Sequence, residues 1–396
     1  MRKYKVLHLT NFLDLSGQQE NTLYTVSNLD QERFEASLAA NLSGGDQNLD
    51  NLLARRAQAV PHLTVHDLSH LTRAPSPAFD LWSFIDMIRL MRAERYDIVH
   101  THATKAGFWG RIAAKLTGVP IIVHSVHGWA FQYTGVPQLV RDFFLLLEKI
   151  PAMVTDRFIT VNCALLEDGV RHKVGKRDQF IVVRSGMELE KFLQVQIDAP
   201  KLRESLGLPL TGPIVGTVMI FYRHKSPETI VRIAPKIMEA VPETHFLLVG
   251  DGEMMPGVRA LVRELNLDDR VVLTGLRQDV DELMALMDVF VHPAWFEIAP
   301  RAIVQAQATG TPVVATHLGG VPELIKDGET GFLVPPRDLE ALAEAVIRLL
   351  QDPALRAKMG RATRGSITSA YTVEAMVKSI EKVYNELIEA KMVQSA

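Results

Sequence analysis

The sequence predicts an α/β protein built from two Rossmann-like, doubly wound parallel-sheet domains that face a central cleft. Short β-rich segments alternate with longer helical patterns along all 396 residues, which favours βαβ units. The β-rich segments are near-continuous runs of Val, Ile and Leu, typical of strands that are covered on both faces. A chain of this length with 47% hydrophobic residues is too long for one core, so two domains are expected.

The first half contains six predicted strands separated by helices. These strands are YKVLHLT, EASLAA, DIVHTH, IIVHSVH, RFITVN and FIVVRSG. The helix FWGRIAAKLTG ends at Gly118, and glycine commonly closes a helix because it adopts the left-handed conformation easily. Ligands are expected beyond the carboxyl ends of such strands.

The second half repeats the same alternation. Its predicted strands are IVGTVMI, THFLLVG, RVVLTG, DVFVHP, TPVVAT and GFLVP. RSGMELEKF ends the first sheet, and the Gly and Pro residues of GLPLTGP indicate a linker. TVEAMVKSIEKVYNELIEAKM has apolar residues at helical spacing. We therefore expect an N-terminal domain at 1–190, a second domain at 191–373, and a C-terminal helix at 374–396 that packs across both.

Composition excludes several classes of protein. The chain has 43 basic and 46 acidic residues and a net charge of −3, which argues against a nucleic-acid partner. Cys163 is the single cysteine, which fits a reducing, cytoplasmic location. The opening MRKYKVLHLTNF is interpreted as a first strand and not as a signal peptide. Since no apolar run approaches the ~20 residues of a membrane span, at most a peripheral contact with the membrane is expected.

The stretch FEIAPRAIVQAQATG predicts an anion site at the start of a helix. Pro300 suits the first helical position and Gly310 the far end. The exposed N–H groups of the first turn attract phosphate, and Arg301 adds a positive charge there. Gln305 lies one turn further and could bond a ribose hydroxyl, while Glu297 could accept bonds from sugar hydroxyls. The alternative is that Glu297 complements the helix dipole and Arg301 is a solvated charge.

Three further loops follow predicted strands. Arg223 and Lys225 in MIFYRHKSPE could neutralise a departing diphosphate, although an ordinary basic loop is an equal alternative. Gly250 and Asp251 in LLVGDGE permit close approach of a ligand to the backbone. Leu276 in LTGLRQDV is placed for backbone recognition of a base.

Other candidate residues have strong structural alternatives. Gly17 in DLSGQQENTL could form a turn that touches phosphate, with Glu20 opening the next helix. In the D-x-D of LTGLRQDVDEL, one of the two carboxylates is expected to cap the following helix and not to bind a metal. Four histidines near strand ends invite a zinc interpretation, but they lack a completing acidic or thiol ligand, so no metal is predicted. These histidines are His100, His102, His124 and His127.

Several motifs, taken in order, resemble the GT-B glycosyltransferases of family 4, which are retaining enzymes that use nucleotide sugars. The resemblance runs from Lys5 to about Leu387. The motifs are DIVHTHATKAGFWGRIAAKLTGVP, SVHGW, VVRSGMELEKF, FLLVGDGE, VVLTGLRQDV, FEIAPRAIVQAQATGTPVVAT and GGVPELIKDGETGFLV. The first and sixth are most similar to bacterial members that build surface polysaccharides.

The resemblance implies hexosyl transfer from a nucleotide-diphosphate sugar, with UDP expected, to a glycan or lipid-linked acceptor. It implies no cofactor and no metal. Implied catalytic residues are His127, beside the reacting sugar, Lys225 and Glu297. Implied donor-binding residues are Gly17, Gln18, Arg223, Gly250, Asp251, Leu276, Ala299, Arg301, Ala302 and Gln305.

The chain departs from the family pattern at a few positions. Gln305 replaces the usual second glutamate, Ile220 replaces an arginine, and Ser226 follows Lys225 where glycine is usual. Ile220 and Gln305 leave open a nucleotide-sugar binding protein without turnover, and a sugar-nucleotide epimerase on a similar two-domain scaffold is a second alternative. QLVRDFFLLLEK mixes basic and large apolar residues and could contact lipid, although an ordinary core-facing helix is the favoured interpretation.

Overall fold

The computed structural model describes residues 2–14, 16–43, 52–72, 74, 76–132, 136–367 and 369–393. The chain divides into two compact units, Met1–Met187 with Ala370–Ala396 (unit 1) and Glu188–Ser369 (unit 2). The tail therefore belongs to unit 1, and its predicted packing across both domains stays a prediction. The last residues of the predicted tail, 394–396, lie outside the described residues. Among the helices described, none combines the length and apolarity needed to cross a membrane.

The strands form two parallel sheets. They are β1 (Tyr4–Phe12), β2 (Phe34–Asn41), β3 (Thr64–Asp67), β4 (Ile98–His102), β5 (Ile121–Val126), β6 (Arg157–Thr160), β7 (Phe180–Val182), β8 (Ile214–Val218), β9 (His245–Val249), β10 (Val271–Gly275), β11 (Val289–His292), β12 (Val313–Thr316) and β13 (Gly331–Val334). In the described residues, the first sheet has the order β3-β2-β1-β4-β5-β6-β7 and the second β10-β9-β8-β11-β12-β13. The predicted pair of doubly wound, Rossmann-like sheets is confirmed.

Helices connect most consecutive strands, as parallel pairing requires, and the last three helices follow β13. They are α1 (Gly17–Asn28), α2 (Leu52–Gln58), α3 (Pro77–Glu94), α4 (Thr104–Leu116), α5 (Gln138–Ala152), α6 (Cys163–Arg171), α7 (Glu190–Leu193), α8 (Ala199–Ser205), α9 (Glu228–Ala240), α10 (Met255–Glu264), α11 (Val280–Leu286), α12 (Arg301–Thr309), α13 (Leu339–Gln351), α14 (Pro353–Ser366) and α15 (Val373–Ile388). Short 3₁₀ turns lie at Ala130–Gln132, Arg177–Gln179, Arg223–Lys225, Val321–Glu323 and Ser369–Tyr371, and a π turn at Glu389–Val393.

All twelve segments predicted as strands contain a strand, but β3 was missed. Its sequence, TVHD, has one aliphatic residue, and its side chains are only half-buried or exposed because the strand lies at the sheet edge. Such a segment lacks the apolar run by which the other strands were recognised.

The tail helix α15 completes the core of unit 1. Its residues Met376, Val383 and Tyr384 pack in one buried cluster with Val6 of β1 and Leu23 of α1. The side chain of Thr372 caps the helix by accepting a hydrogen bond from the N–H of Ala375 at 3.2 Å. The tail helix therefore packs against β1, an interior strand of the first sheet.

Candidate active site

The strand order reverses direction between β1 and β4 in unit 1 and between β8 and β11 in unit 2. Loops diverge at such points, which leaves a crevice at the carboxyl edge where doubly wound sheets bind ligands. The loop after β8 contains Arg223 and Lys225, and the loop after β11 contains Glu297. The predicted candidates in unit 2 therefore lie at the place where the topology favours a ligand.

Glu297 is a buried carboxylate held by two basic side chains. The Nζ of Lys225 and the Nε2 of His292 both donate to its Oε2, the latter at 2.9 Å. Its Oε1 accepts the backbone N–H of Ile298 at 3.0 Å. Glu297 is 8% exposed and Lys225 only partly exposed, so the ion pair is largely shielded from water.

Burial alone would raise the pKa of Glu297, because a desolvated carboxylate is disfavoured. The charge on Lys225 and the hydrogen bonds from His292 and Lys225 outweigh burial and hold this pKa well below its ordinary value. The carboxylate is therefore ionised at neutral pH. An ionised Glu297 can accept hydrogen bonds but cannot donate them, which suits recognition of hydroxyl groups.

Hydrogen bonds to backbone carbonyls connect the loops on both sides of this ion pair. The Trp295 N–H donates to the carbonyl of His224 at 3.0 Å, and its Nε1–H donates to the carbonyl of Arg223 at 2.9 Å. After β12, the N–H of Gly320 donates to the carbonyl of Ile298 at 3.1 Å. A Cβ at Gly319 would lie 1.9 Å from the carbonyl oxygen of Glu297, so the chain passes too closely there for a side chain.

The helix α12 begins beside Glu297, one residue later than predicted. Pro300 has φ −72° and ψ 101°, an extended conformation, so it precedes the helix and Arg301 is its first residue. Gly310 closes the helix with φ 84°, as predicted. Arg301 and Gln305 are half-buried and stand one turn apart. Ala299 in the loop and Ala302 in the first turn lie on either side of the helix start.

Gly250 and Asp251 are placed beside the loop after β8. Gly250 has φ 135°, and a Cβ there would lie 1.9 Å from the carbonyl oxygen of Met219. The carbonyl of Asp251 accepts the N–H of Phe221 at 2.8 Å. The N–H of Gly250 donates to the carbonyl of Gly275 at 3.0 Å, which brings the exposed Leu276 to the same edge.

Asp279, one of the two carboxylates of the D-x-D, does not form the expected helix cap. Asp279 does stand at the N-cap position of α11, but its side chain makes no capping hydrogen bond. Instead its carboxylate accepts two hydrogen bonds from Arg277, at 2.8 and 2.5 Å. The bidentate geometry of a guanidinium competes successfully with the backbone N–H groups.

In unit 1, the first loop differs in detail from the prediction. The helix α1 opens at Gly17, three residues before Glu20, with Ser16 in the N-cap position. Gly17 and Gln18 therefore form the first turn of the helix and not a free turn before it. Both are half-buried.

His127 follows β5 and is half-buried. Burial lowers its pKa to about 4, so the ring is neutral at physiological pH. Its Nε2 is hydrogen-bonded to Nδ1 of His102 at 3.4 Å. His124, by contrast, is bonded to Thr101 at 2.8 Å, because the successive residues Thr101 and His102 of β4 point to opposite faces of the sheet.

Several residues of these sites were missed by sequence reasoning. His292 ends a strand five residues before Glu297, a position that could have indicated it. His8 and Tyr384 join the histidines of β4 in the core, where one nitrogen from each of His8, His100 and His102 lies within 4.8 Å of the others. Nothing in the sequence links positions so far apart.

The prediction that these histidines bind no metal stays a prediction.

The backbone conformation of Ser226 explains why glycine suits the position after Lys225. It has φ 55°, in the left-handed region, and is buried. Its Oγ is hydrogen-bonded to Glu228 at 3.2 Å and to Thr229 at 3.3 Å. Local side-chain contacts thus accompany a backbone conformation that serine adopts less readily than glycine.

Both units match family models. Residues 212–352 match the model described as "Glycosyl transferases group 1", and residues 16–186 match the "Glycosyl transferase 4-like domain". Together these models cover well over half of the chain.

Curated relatives include bacterial glycosyltransferases. The chain is 32% identical over 394 residues to the UDP-Gal:alpha-D-GlcNAc-diphosphoundecaprenol alpha-1,3-galactosyltransferase of Escherichia coli, covering 98% of each protein. It is 26% identical to the N-acetyl-alpha-D-glucosaminyl L-malate synthase of Bacillus anthracis, covering 79% of this chain and 80% of that protein.

Solved structures show the same fold. Anabaena Alr3699/HepE in complex with UDP has a TM-score of 0.81 at 21% identity, covering 96% of this chain and 100% of that chain. The sucrose-phosphate synthase of Thermosynechococcus elongatus has a TM-score of 0.79 at 24% identity, covering 98% and 100%. Both likenesses extend over nearly the whole chain, so they cover the two sheets described above.

Proposed function

The chain belongs to the GT4-like glycosyltransferases of the GT-B fold, and on that premise we propose that it transfers a hexosyl group from a UDP-sugar with retention at the anomeric carbon. The acceptor is a glycan or a lipid-linked sugar of bacterial polysaccharide synthesis. The observation on which the proposal rests is the buried, ionised Glu297 between Lys225 and His292, at the strand-order reversal and beside the start of α12.

The choice of donor and acceptor is supported by a full-length relative. The Escherichia coli enzyme, as named, uses UDP-Gal and acts on a GlcNAc-diphosphoundecaprenol, and the two proteins align over 98% of their lengths. Alr3699/HepE was solved with UDP. UDP-galactose and a polyprenyl-diphosphate sugar are therefore the first substrates to test.

The residues of unit 2 suit a diphosphate leaving group. As the glycosidic bond breaks, negative charge develops on the diphosphate, and Lys225, Arg223 and Arg301 are cations near that edge of the sheet. The N–H groups at the start of α12, near Ala299 and Ala302, add partial positive charge. The departing diphosphate is thereby stabilised by this chain's own groups, without a metal or cofactor.

The remaining roles follow the same chemistry. Glu297 accepts hydrogen bonds from sugar hydroxyls, and Gln305 bonds the ribose. The backbone near Gly250, Asp251 and Leu276 contacts the base. Attack occurs on the face from which the diphosphate departs, and a donor phosphate oxygen takes the acceptor's proton, so no protein nucleophile is needed.

The roles of residues in unit 1 are proposed on the family resemblance. Gly17 and Gln18, in the first turn of α1, contact the diphosphate. His127 contacts the reacting sugar. All three lie after strands of the first sheet, at its carboxyl edge.

We also propose peripheral contact of α5 with an anionic membrane surface. The core-facing interpretation accounts for one face of α5, which contains the buried Glu148, and the opposite face is exposed. Leu139, Phe143, Leu146 and Ile150 are 81, 55, 52 and 43% exposed, at spacings of four, three and four residues. A lipid-linked acceptor would give this apolar face a function, since such faces bury into the headgroup boundary.

The test of the transfer is product analysis. The protein is incubated with UDP-galactose, UDP-glucose or UDP-N-acetylglucosamine and a synthetic GlcNAc-diphosphate lipid, and the product is examined by NMR. We expect one donor to give a product with the anomeric configuration of that donor. Tight binding of every donor without transfer or hydrolysis, or conversion of the donor sugar without acceptor, would exclude the proposal.

A further inference from the structure

Five aromatic side chains form an unbroken chain of hydrogen bonds through the core of unit 1. The hydroxyl of Tyr384, on α15, is bonded to Nδ1 of His100 at 2.6 Å and to Nε2 of His8 at 2.9 Å. His8 Nδ1 is bonded to His102 Nε2 at 3.0 Å. His102 Nδ1 is bonded to His127 Nε2 at 3.4 Å. The chain, here called the imidazole relay, thus connects α15 to the ring that follows β5.

Burial keeps the rings of the relay uncharged. His8, His100, His102 and Tyr384 are at most 3% exposed. Burial lowers the pKa of His8 to about 3 and, with the neighbouring rings, holds those of His100 and His102 well below the ordinary value. Burial also raises the pKa of Tyr384 well above its ordinary value, so its hydroxyl keeps its proton.

A neutral imidazole has one N–H donor and one bare acceptor nitrogen. Both nitrogens of His8 and of His102 have partners within the relay, and the second nitrogen of His100 is bonded to Ser125 at 2.8 Å. The Tyr384 hydroxyl has a single proton, and when it donates that proton to one of its two partners, the direction of any one bond fixes the direction of all the others. Two orders are possible, and they differ in which way the Tyr384 hydroxyl donates.

The bond lengths favour one order. Hydroxyl donors approach their acceptors more closely than N–H donors do. The 2.6 Å contact therefore fits donation from Tyr384 to His100, and the 2.9 Å contact fits donation from His8 Nε2 to Tyr384. In that order His102 donates to His8, and His127 donates to His102 through its Nε2.

We propose that Tyr384 is a positioning residue that holds His127 in the Nε2–H tautomer through the imidazole relay, so that its Nδ1 is a hydrogen-bond acceptor. Among the described residues, none is bonded to this Nδ1, and the ring is half-buried. The bare nitrogen is then available to accept a hydrogen bond from a substrate hydroxyl. This last step rests on the proposed contact between His127 and the reacting sugar, whereas the tautomer itself does not.

Zinc binding is the competing use of these histidines, since His8, His100 and His102 each bring a nitrogen within 4.8 Å of the others. In the relay, however, those nitrogens already bond to one another or to Tyr384 and Ser125. Both nitrogens of each ring have a partner, so a metal would have to displace at least one of these bonds.

The first test is the tautomer of His127 in the intact protein. Protein labelled with ¹⁵N-histidine is examined by two-bond ¹H–¹⁵N correlation at neutral pH, and the His127 signals are assigned by their loss in His127→Gln. We expect an unprotonated Nδ1 and a protonated Nε2. A protonated Nδ1, or stoichiometric zinc found by elemental analysis, would overturn the proposal, and this arm needs no variant of Tyr384 to fold.

The second test removes the hydroxyl that directs the relay. In Tyr384→Phe we expect the His127 signals to shift toward a mixture of tautomers. The matched control is Tyr96→Phe, which removes another buried hydroxyl of unit 1, bonded to His66 at 3.2 Å outside the relay. This control should keep the wild-type His127 signals. An unchanged His127 tautomer in Tyr384→Phe would refute the role of the hydroxyl.

Activity then separates this inference from the proposed function. With UDP-galactose as donor, we expect kcat of Tyr384→Phe to fall by about tenfold with little change in KM, because a misdirected hydrogen bond acts mainly in the transition state. A kcat within about twofold of wild type despite mixed tautomers would refute the positioning role. If wild-type protein turns over no UDP-sugar, the proposed function fails while the tautomer result stands.

Discussion

Glu297 and Lys225 form an ion pair whose two members stabilise each other's charge. Removing one partner of a buried ion pair costs more folding free energy than the intact pair contributes. The reason is that the remaining charge is left buried and unpaired. Lys225 is the member expected to meet the leaving diphosphate. Replacing it tests both its charge and its support of Glu297.

We expect Lys225→Ala to lower kcat by about 10²–10³ and to weaken UDP binding by less than about tenfold, since the charge it stabilises develops only in the transition state. Turnover of UDP-galactose and calorimetric titration with UDP measure the two effects. The control is Lys236→Ala, which removes an exposed ion pair with Glu340 in the same unit and should change neither. Equal losses in turnover and binding would make Lys225 a binding group only.

The sequence identified Lys225 and Glu297 as separate candidates but not as partners. They lie 72 residues apart in the chain, and only the pairing of β8 with β11 brings their loops together. Knowing the doubly wound topology predicts that pairing, but it does not predict which side chains meet. His292 was overlooked because a histidine within an apolar strand resembles an ordinary core residue.

At the level of elements, helix ends were predicted more reliably than the contacts of their side chains. Gly310 closes α12 as its conformational freedom suggests, whereas Asp279 occupies the N-cap of α11 but binds Arg277. Local propensity determines where the backbone turns. The choice between two hydrogen-bond partners depends on side chains whose positions are set by the folded structure.

The helix α5 is a second element whose side-chain contacts could not be predicted from the sequence pattern, and its exposed face allows a test of membrane contact. Its apolar residues follow a helical period, but periodicity alone cannot say which face packs inward. The structure shows that the inward face is anchored by a buried ion pair between Glu148 and Arg111 at 2.9 Å. The opposite face, which contains Phe143 and Leu146, is left exposed.

We expect the double variant Phe143→Ser, Leu146→Gln to reduce co-sedimentation with anionic phosphatidylglycerol vesicles by about tenfold or more, because each buried large apolar side chain contributes roughly 1.5–3 kcal/mol. Leu210→Gln is the control, since Leu210 is 68% exposed and belongs to unit 2, whereas α5 belongs to unit 1. If the wild-type protein does not sediment with these vesicles, the proposed membrane contact is wrong.

On the scale of the whole molecule, both units are parallel sheets with connecting helices, but they differ in the polar groups that they bury. Besides its ion pair between Arg111 and Glu148, unit 1 buries a set of neutral histidines, whereas unit 2 buries an ionised glutamate between two basic partners. The parallel-sheet architecture was predictable from the alternation of strands and helices in the sequence. The buried groups were not, because each set is assembled from residues far apart in sequence.

These groups give the units different responses to acid. In the unfolded chain, histidine takes up a proton near pH 6.5, but folded His127 and His8 do so only near pH 4 and pH 3. The unfolded state therefore binds more protons as pH falls below 6.5, and unit 1 loses stability over that range. The pKa of Glu297 is lowered from 4.5, so its contribution is present above 4.5 and is lost only below it.

We therefore expect unit 1 to weaken between about pH 7.5 and pH 5, while unit 2 changes less. Pulse proteolysis in urea, with the protected fragments identified by mass spectrometry, measures both units in the intact protein. His224 and His245 also have pKa values lowered by burial, so unit 2 should lose some stability, but its described residues include no comparable histidine cluster. Equal shifts of the two midpoints would show that the buried histidines of unit 1 do not dominate its acid response.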